Sequence, residues 1–254
     1  MIPPFSRRFR LALMFLTRLP VPLDPAPEAS EIAEAGDMFP LVGALVGAAT
    51  GAVFWGLTSL GLPPLVAAAA ALAAQLLLTG ALHEDGLADM ADGFGGGFTR
   101  ARKLEIMRDS RLGTYGGAAL MLSLLARAGL IAALPPEGAI AALAVAQGAS
   151  RWLLSALRIG LPPARAVEDG GGLTASVAAT DALPITLRAT LPTLLLPPLL
   201  IGWDALLPVA LGLLVVWATL RKLCRWQIQG FTGDTLGASQ QLAEILLLCV
   251  LVAR

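Results

Sequence analysis

Residues 81–97, ALHEDGLADMADGFGGG, place four acids, Glu84, Asp85, Asp89 and Asp92, within nine positions of one of the most apolar stretches of the chain. If that stretch is helical, about 100° of rotation per residue puts Asp85, Asp89 and Asp92 within roughly 60° of one another. Three carboxylates on one face repel unless cations neutralise them. The residues between them are Gly, Leu, Ala and Met, not the Lys or Gln of a solvated helix end. Hard oxygen donors in this pattern suit Mg²⁺ or Mn²⁺, and Mg²⁺ is usually shared between a few carboxylates and substrate phosphates. Asp85, Asp89 and Asp92 are therefore the candidate metal ligands. His83 is the only histidine, and Cys224 and Cys249 are too few and too different in setting to build a zinc site with it. His83 reads instead as a neighbour supporting the acids.

The following stretch, RARKLEIMRDSRLGTYG (100–116), sets Glu105 and Asp109 beside Lys103, Arg108 and Arg111. A polyphosphate substrate needs metal and cationic donors together, so these cations are candidate phosphate clamps. A solvated helix surface with i,i+4 pairing is the plainer explanation. Gly93, Gly95, Gly96 and Gly97 could bring backbone N–H groups near phosphate oxygens, yet they fit neither the Walker nor the dinucleotide pattern. Asp234, bracketed by Gly233 and Gly237 in GFTGDTLGASQQLAEI, is a candidate substrate contact that a helix cap would explain equally well.

The elements that must position these residues are membrane helices. A chain of 254 residues with 56% hydrophobic residues, 14% charged residues and a mean hydropathy of +0.75 lies far from the soluble norm of about 25% charged. The expected fold is all-α, a polytopic helical bundle and one integral membrane domain over 1–254. Seven spans are expected: 39–62, 64–83, 114–134, 139–158, 190–203, 205–220 and 238–253. The fifth is short and carries Pro192, Pro197 and Pro198. The run Leu11–Leu16 after Arg7, Arg8 and Arg10 is too short for a cleaved signal and is expected to lie in the interface. Ionisable residues inside spans, Arg127, Arg151 and Glu244, are expected to pair and hold helices together.

Fifteen of the eighteen Lys and Arg residues fall in the N-terminal arm, in the connections near 84–113, 159–189 and 222–237, or, as Arg158 and Arg221, directly beside them, all on one side of that topology. The positive-inside rule then places the N-terminus and these loops in the cytoplasm. Nothing in the chain points to nucleic acid.

HEDGLADMADGFGGGFTRARKLEIMRDSRLGTYG (83–116), with FLTRLPVP (15–22), FPLVGALVG (39–47) and GFTGDTLGASQQLAE (230–244), resembles the cobalamin synthase family, the adenosylcobinamide-GDP ribazoletransferases. The likeness runs from the N-terminal arm to the last span; the middle loop, LPPARAVEDGGG (161–172), matches loosely around Pro163, Arg165 and its glycines. The resemblance implies a Mg²⁺-dependent transfer at the bacterial inner membrane, in which α-ribazole or its 5′-phosphate displaces GMP from adenosylcobinamide-GDP. It implies metal on Asp85, Asp89 and Asp92. Glu84 and Asp109 become further ligands or, for one of them, the base for the ribazole 5′-hydroxyl. Lys103, Arg108 and Arg111 would steady the pyrophosphate, and Asp234 would contact a sugar, guanine or metal. A homo-oligomer, or association with other cobalamin biosynthesis enzymes, stays open.

Two other readings compete. DMADG (89–93) matches the opening D-x-x-D-G of the CDP-alcohol phosphotransferases, but no Ala-Arg pair follows where expected and the later acids are Glu105 and Asp109 instead of two aspartates. A secondary transporter would place its acids near the bilayer midplane within repeated halves, whereas here they cluster at one face and no repeat is visible.

Overall fold

The computed structural model describes residues 2–165 and 180–254. Its helices are α1 (Phe5–Leu16), α2 (Ala29–Glu34), α3 (Phe39–Ser59), α4 (Pro64–Thr79), α5 (Leu82–Gly96), α6 (Arg100–Ile106), α7 (Thr114–Ala132), α8 (Pro136–Ser150), α9 (Leu153–Ala156), α10 (Ala182–Leu200), α11 (Leu206–Gln227) and α12 (Gly233–Val252). Among the described residues the only strand-like pairing is a single bridge between Pro163 and Phe231. Six helical segments are long and apolar enough to cross a membrane, and the bent pair α4 and α5 makes a seventh candidate. The expected all-α polytopic bundle is the fold observed.

The tightest packing in the bundle joins α3 to α8. Gly43, Gly47 and Gly51 recur every fourth residue and bring the two backbones together. A Cβ on Gly47 would stand 2.1 Å from the Leu143 carbonyl oxygen, so nothing larger than glycine fits. Without a strong hydrophobic drive between helices in lipid, such close approach of small residues is what holds them. Phe54, Leu143, Val145, Leu213 and Leu247 lie in the same buried core, drawn from α3, α8, α11 and α12. α1 is amphipathic, and its Leu11, Ala12 and Leu16 bury against Phe39, Val42 and Leu154, tucking the N-terminal arm onto one end of the bundle. Arg8 and Arg188 both pair with the buried Asp37, Arg188 at 3.0 Å, and Arg188 reaches Glu34 at 2.5 Å. That network fastens α1 and α2 to α10.

Several boundaries differ from those expected. The second span does not run on through His83 and Asp92. α4 stops at Thr79, Gly80 and Ala81 take positive φ of 70° and 57°, and α5 leaves at 92°. The fifth span starts at Ala182, eight residues before the expected 190, and its prolines stay inside the helix. Thr186, Thr190 and Thr193 each donate a hydroxyl hydrogen bond to the carbonyl four residues back, at 2.7, 2.7 and 2.8 Å. Those are not the carbonyls freed by Pro192, Pro197 and Pro198, which belong to Arg188, Thr193 and Leu194; membrane helices tolerate such prolines where neighbouring helices and local adjustments compensate the lost backbone bonds. The sixth span continues to Gln227, the seventh begins at Gly233, and the fourth breaks after Ser150 before resuming as α9.

Candidate active site

α5 keeps the expected spacing, so Asp85, Asp89 and Asp92 do share a face, but they meet three environments along it. Asp85 is exposed, Asp89 half-buried and Asp92 buried. Asp92 accepts the backbone N–H of Gly113 on one oxygen and of Gly116 on the other, each at 2.8 Å. It caps the first turn of α7 from a neighbouring helix, where free N–H groups and the helix dipole favour a carboxylate. Asp89 stands within electrostatic reach of Asp85, Asp92 and Asp234, and of the Arg165 guanidinium. Asp234 arrives because α12 begins against α5: a Cβ on Gly86 would lie 2.9 Å from the Asp234 carbonyl oxygen, so glycine there admits the close approach. The Asp234 carboxylate accepts from the Thr232 hydroxyl at 3.1 Å and pairs with Arg165 at 3.3 Å.

Arg165 owes its position to two loops far apart in sequence. Ala164 N–H donates to the Phe231 carbonyl at 2.8 Å and Phe231 N–H to the Pro162 carbonyl at 2.9 Å. Arg100, at the start of α6, ties both loops down by donating to the carbonyls of Ile228 and Ala164 at 2.8 and 2.6 Å. Arg100 carried no role in the sequence reading, since nothing local marks an arginine that binds two distant carbonyls. The remainder of the loosely matching middle loop, including its glycines 170–172, lies outside the described residues.

The other candidates are placed differently. Glu84 turns inward: it is buried and accepts from Arg127 at 2.9 Å and from Gln241 at 3.1 Å on the same oxygen. Glu244 lies 3.6 Å from Arg127, which meets the expectation of pairing, and Gln240 donates to both Glu244 and Ser150. Arg151 turns to the carbonyl of Gln147, at 2.8 Å, and to its side-chain amide oxygen. Glu84 thus belongs to an interior ionic network instead of the acidic face. Asp109 and Arg111 pair with each other at 2.6 Å in the loop after α6, with the Arg111 side chain 87% exposed. The adjacent guanidinium holds the Asp109 carboxyl down at about 2. Lys103 donates to Gln227, tying α6 to the end of α11. Glu105 pairs with Arg102 at 2.8 Å, and Arg108 is exposed. Arg165 is ion-paired to Asp234 of the acidic group, whereas Lys103 is bound to Gln227 and Arg111 to Asp109.

Asp85 and Asp234 also line a cleft of about 250 Å³ between α5, α9, α12 and the N-terminal arm. Its other walls are Phe15, Ile32, Phe39, Leu154 and Leu236, with His83, Ser155 and Arg158 among the polar lining. Phe15 and Phe39 sit in two of the motifs quoted above, which is the signal that could have pointed to them.

Among the described residues no three His, Cys, Asp or Glu side chains stand close enough to enclose an ion by themselves. The donor set still fits a hard divalent cation, because Mg²⁺ commonly takes one or two carboxylates and completes its shell with water and substrate phosphate. Asp85 and Asp89 supply such a pair beside Asp234.

Comparison with known proteins gives the family to which the chain belongs. Residues 8–252 match the family model described as cobalamin-5-phosphate synthase. A relative in Azorhizobium caulinodans is 46% identical over 245 residues, spanning 93% of this chain and 92% of its own. One in Mesorhizobium japonicum is 44% identical over 241 residues, with 94% and 90% covered. One in Ralstonia nicotianae is 41% identical over 254 residues, with 97% and 95% covered. All three are named adenosylcobinamide-GDP ribazoletransferase. No solved structure matches. The chain belongs to the cobalamin-5-phosphate synthase family.

Proposed function

We propose that this protein transfers the adenosylcobinamide phosphate group of adenosylcobinamide-GDP to α-ribazole or its 5′-phosphate, releasing GMP, with Mg²⁺ (Mn²⁺ as a substitute) at the cytoplasmic face of the bacterial inner membrane. The observation that carries this reading is the near full-length identity to relatives of that name. The acidic mouth of α5 is consistent with it. Transfer at phosphorus depends mainly on positioning and on neutralising charge, and Asp85 and Asp89 would hold the ion that neutralises the pyrophosphate. Arg165, paired with Asp234, would add a fixed cation beside these acids. A ribose hydroxyl of the acceptor forms the new O–P bond to the phosphorus on the cobinamide side. The bond from that phosphorus to the bridging oxygen breaks, and GMP carries the electron pair away. Asp234, lining the cleft beside Asp85, is the carboxylate we assign to take the hydroxyl proton. That role passes from Glu84, which turns into the bundle interior, and from Asp109, in the loop after α6, because neither is among the residues that line the cleft. The family description, cobalamin-5-phosphate synthase, supports a nucleophile other than the 5′-hydroxyl, because a phosphate kept at that position leaves another ribose oxygen to attack.

The cytoplasmic placement rests on charge: the arm, the three long connections and the residues directly beside them carry fifteen of the eighteen Lys and Arg residues. The test is GMP release by the detergent-purified protein given adenosylcobinamide-GDP and α-ribazole, with and without Mg²⁺. Metal-dependent GMP with a cobalamin product is expected. A folded preparation that yields neither would overturn the reading.

A further inference from the structure

The cleft beside the acids has both polar and apolar walls, and neither the family name nor the acidic motif says what its apolar walls are for. Asp85 and Asp234 are among the polar walls, with His83, Ser155 and Arg158. Phe15 and Phe39 stack in the same lining, with ring centroids 5.6 Å apart and planes 16° from parallel. Ile32, Leu154 and Leu236 add to the apolar walls. Phe15 is half-buried, so one side of the stack stays accessible.

We infer that the apolar walls of this cleft seat the heteroaromatic base of the acceptor riboside, its ring against the Phe15 and Phe39 stack and its ribose toward Asp85 and Asp234. The inference rests on the reading given under the proposed function and says which substrate enters which space. A benzimidazole is planar, apolar over most of its edge and poor in hydrogen-bonding groups, so apolar walls suit it, and stacking on an aromatic pair adds to the area it buries. Guanine is the poorer occupant. Its carbonyl, ring N–H and exocyclic amine would each need a partner among walls that include Phe15, Ile32, Phe39, Leu154 and Leu236, and beyond the two carboxylates the lining side chains that could serve are His83, Ser155 and Arg158; each polar group left unpaired away from water is costly. The corrinoid is far larger than a cleft of about 250 Å³. With the base against the aromatic stack, the ribose hydroxyls would reach the two carboxylates of the same lining, where the reaction needs them.

The test measures KM for each substrate separately in Phe15→Ala, on the full-length protein in detergent. A tenfold rise in KM for α-ribazole is expected, with KM for adenosylcobinamide-GDP changed less than about twofold, because loss of one stacked aromatic is worth on the order of 1 kcal/mol. The same variant should lose preference for a benzimidazole riboside over a purine riboside. Should Phe15→Ala fail to fold, Leu236→Phe, which narrows the cleft from α12, carries the same expectation. An unchanged KM for α-ribazole, an equal rise for both substrates, or a rise confined to adenosylcobinamide-GDP overturns the assignment. The parent reading fails separately, if the wild-type protein releases no GMP from the two substrates.

Discussion

Glu84 and Asp85 are neighbours in the sequence and opposites in the structure. Glu84 is buried in a network with Arg127, Gln241 and Glu244, while Asp85 is exposed and lines the cleft. One residue of helical rotation separates an acid that joins α5 to α7 and α12 from an acid available to a ligand. The lesson is that charge in a membrane helix has two uses. A buried carboxylate is tolerable only with its cation and hydrogen bonds in place, so it reports on the fold. A carboxylate at the mouth, crowded by others, is stabilised by a cation from outside and so reports on chemistry.

That contrast can be broken or sharpened by substitution. The largest effect is expected at the mouth: Asp85→Asn and Asp89→Asn should each lower GMP release by at least about 10²-fold, the scale seen when one electrostatic stabiliser is removed from an active site. Thermal inactivation in detergent should stay as in the wild type, and near wild-type turnover in both would remove them from the site. Next comes the interior, where Arg127→Met leaves Glu84 buried without its cation and should cost about 3–5 kcal/mol of stability. A melting curve indistinguishable from wild type would show that the network does not hold the bundle. Asp92 stands between the two regions, since it lies on the acidic face yet caps α7. Asp92→Ala should therefore lose about 0.5–2 kcal/mol, the worth of a cap, together with part of the activity; loss of activity with no loss of stability would make it a ligand alone.

The smallest effect is expected at Asp109. Its carboxyl is held at about 2 by Arg111, so its folded value lies below the ordinary carboxylate value. Any benefit of the pair is present above that ordinary value and is lost only as pH falls toward 2. Asp109→Asn should then change turnover by less than about threefold and leave the profile between pH 5 and 8 in place. A displaced profile would return Asp109 to the site.

The shared face of Asp85, Asp89 and Asp92 was legible because helical periodicity needs only local spacing. The break before it was not. Gly80 is a familiar helix stop, but nothing in the sequence marks Ala81 for a positive φ, and the sharp turn of α5 follows from that pair. The pairing of Glu244 with an arginine could be expected from burial alone. That Glu84 shares the same arginine could not, since it depends on which side of α5 meets α7. Lys103 and Arg111 read as phosphate clamps by composition, yet the cation paired with Asp234 is Arg165, delivered by contacts between residues 162–164 and Phe231 that no local pattern reveals. In α10 the prolines read as a defect because their effect in water was carried over to a membrane helix, where they stay inside a continuous helix from Ala182 to Leu200.

The central claim, that the mouth acids hold a divalent ion while the interior acids hold the helices, is tested most directly by titrating Mn²⁺ into the purified protein with adenosylcobinamide-GDP and following free Mn²⁺ by electron paramagnetic resonance. Saturable binding by the wild type, lost in Asp85→Asn and Asp89→Asn and kept in a folded Glu84→Gln, is the predicted result. Equal binding by all four proteins, or loss only in Glu84→Gln, would contradict it.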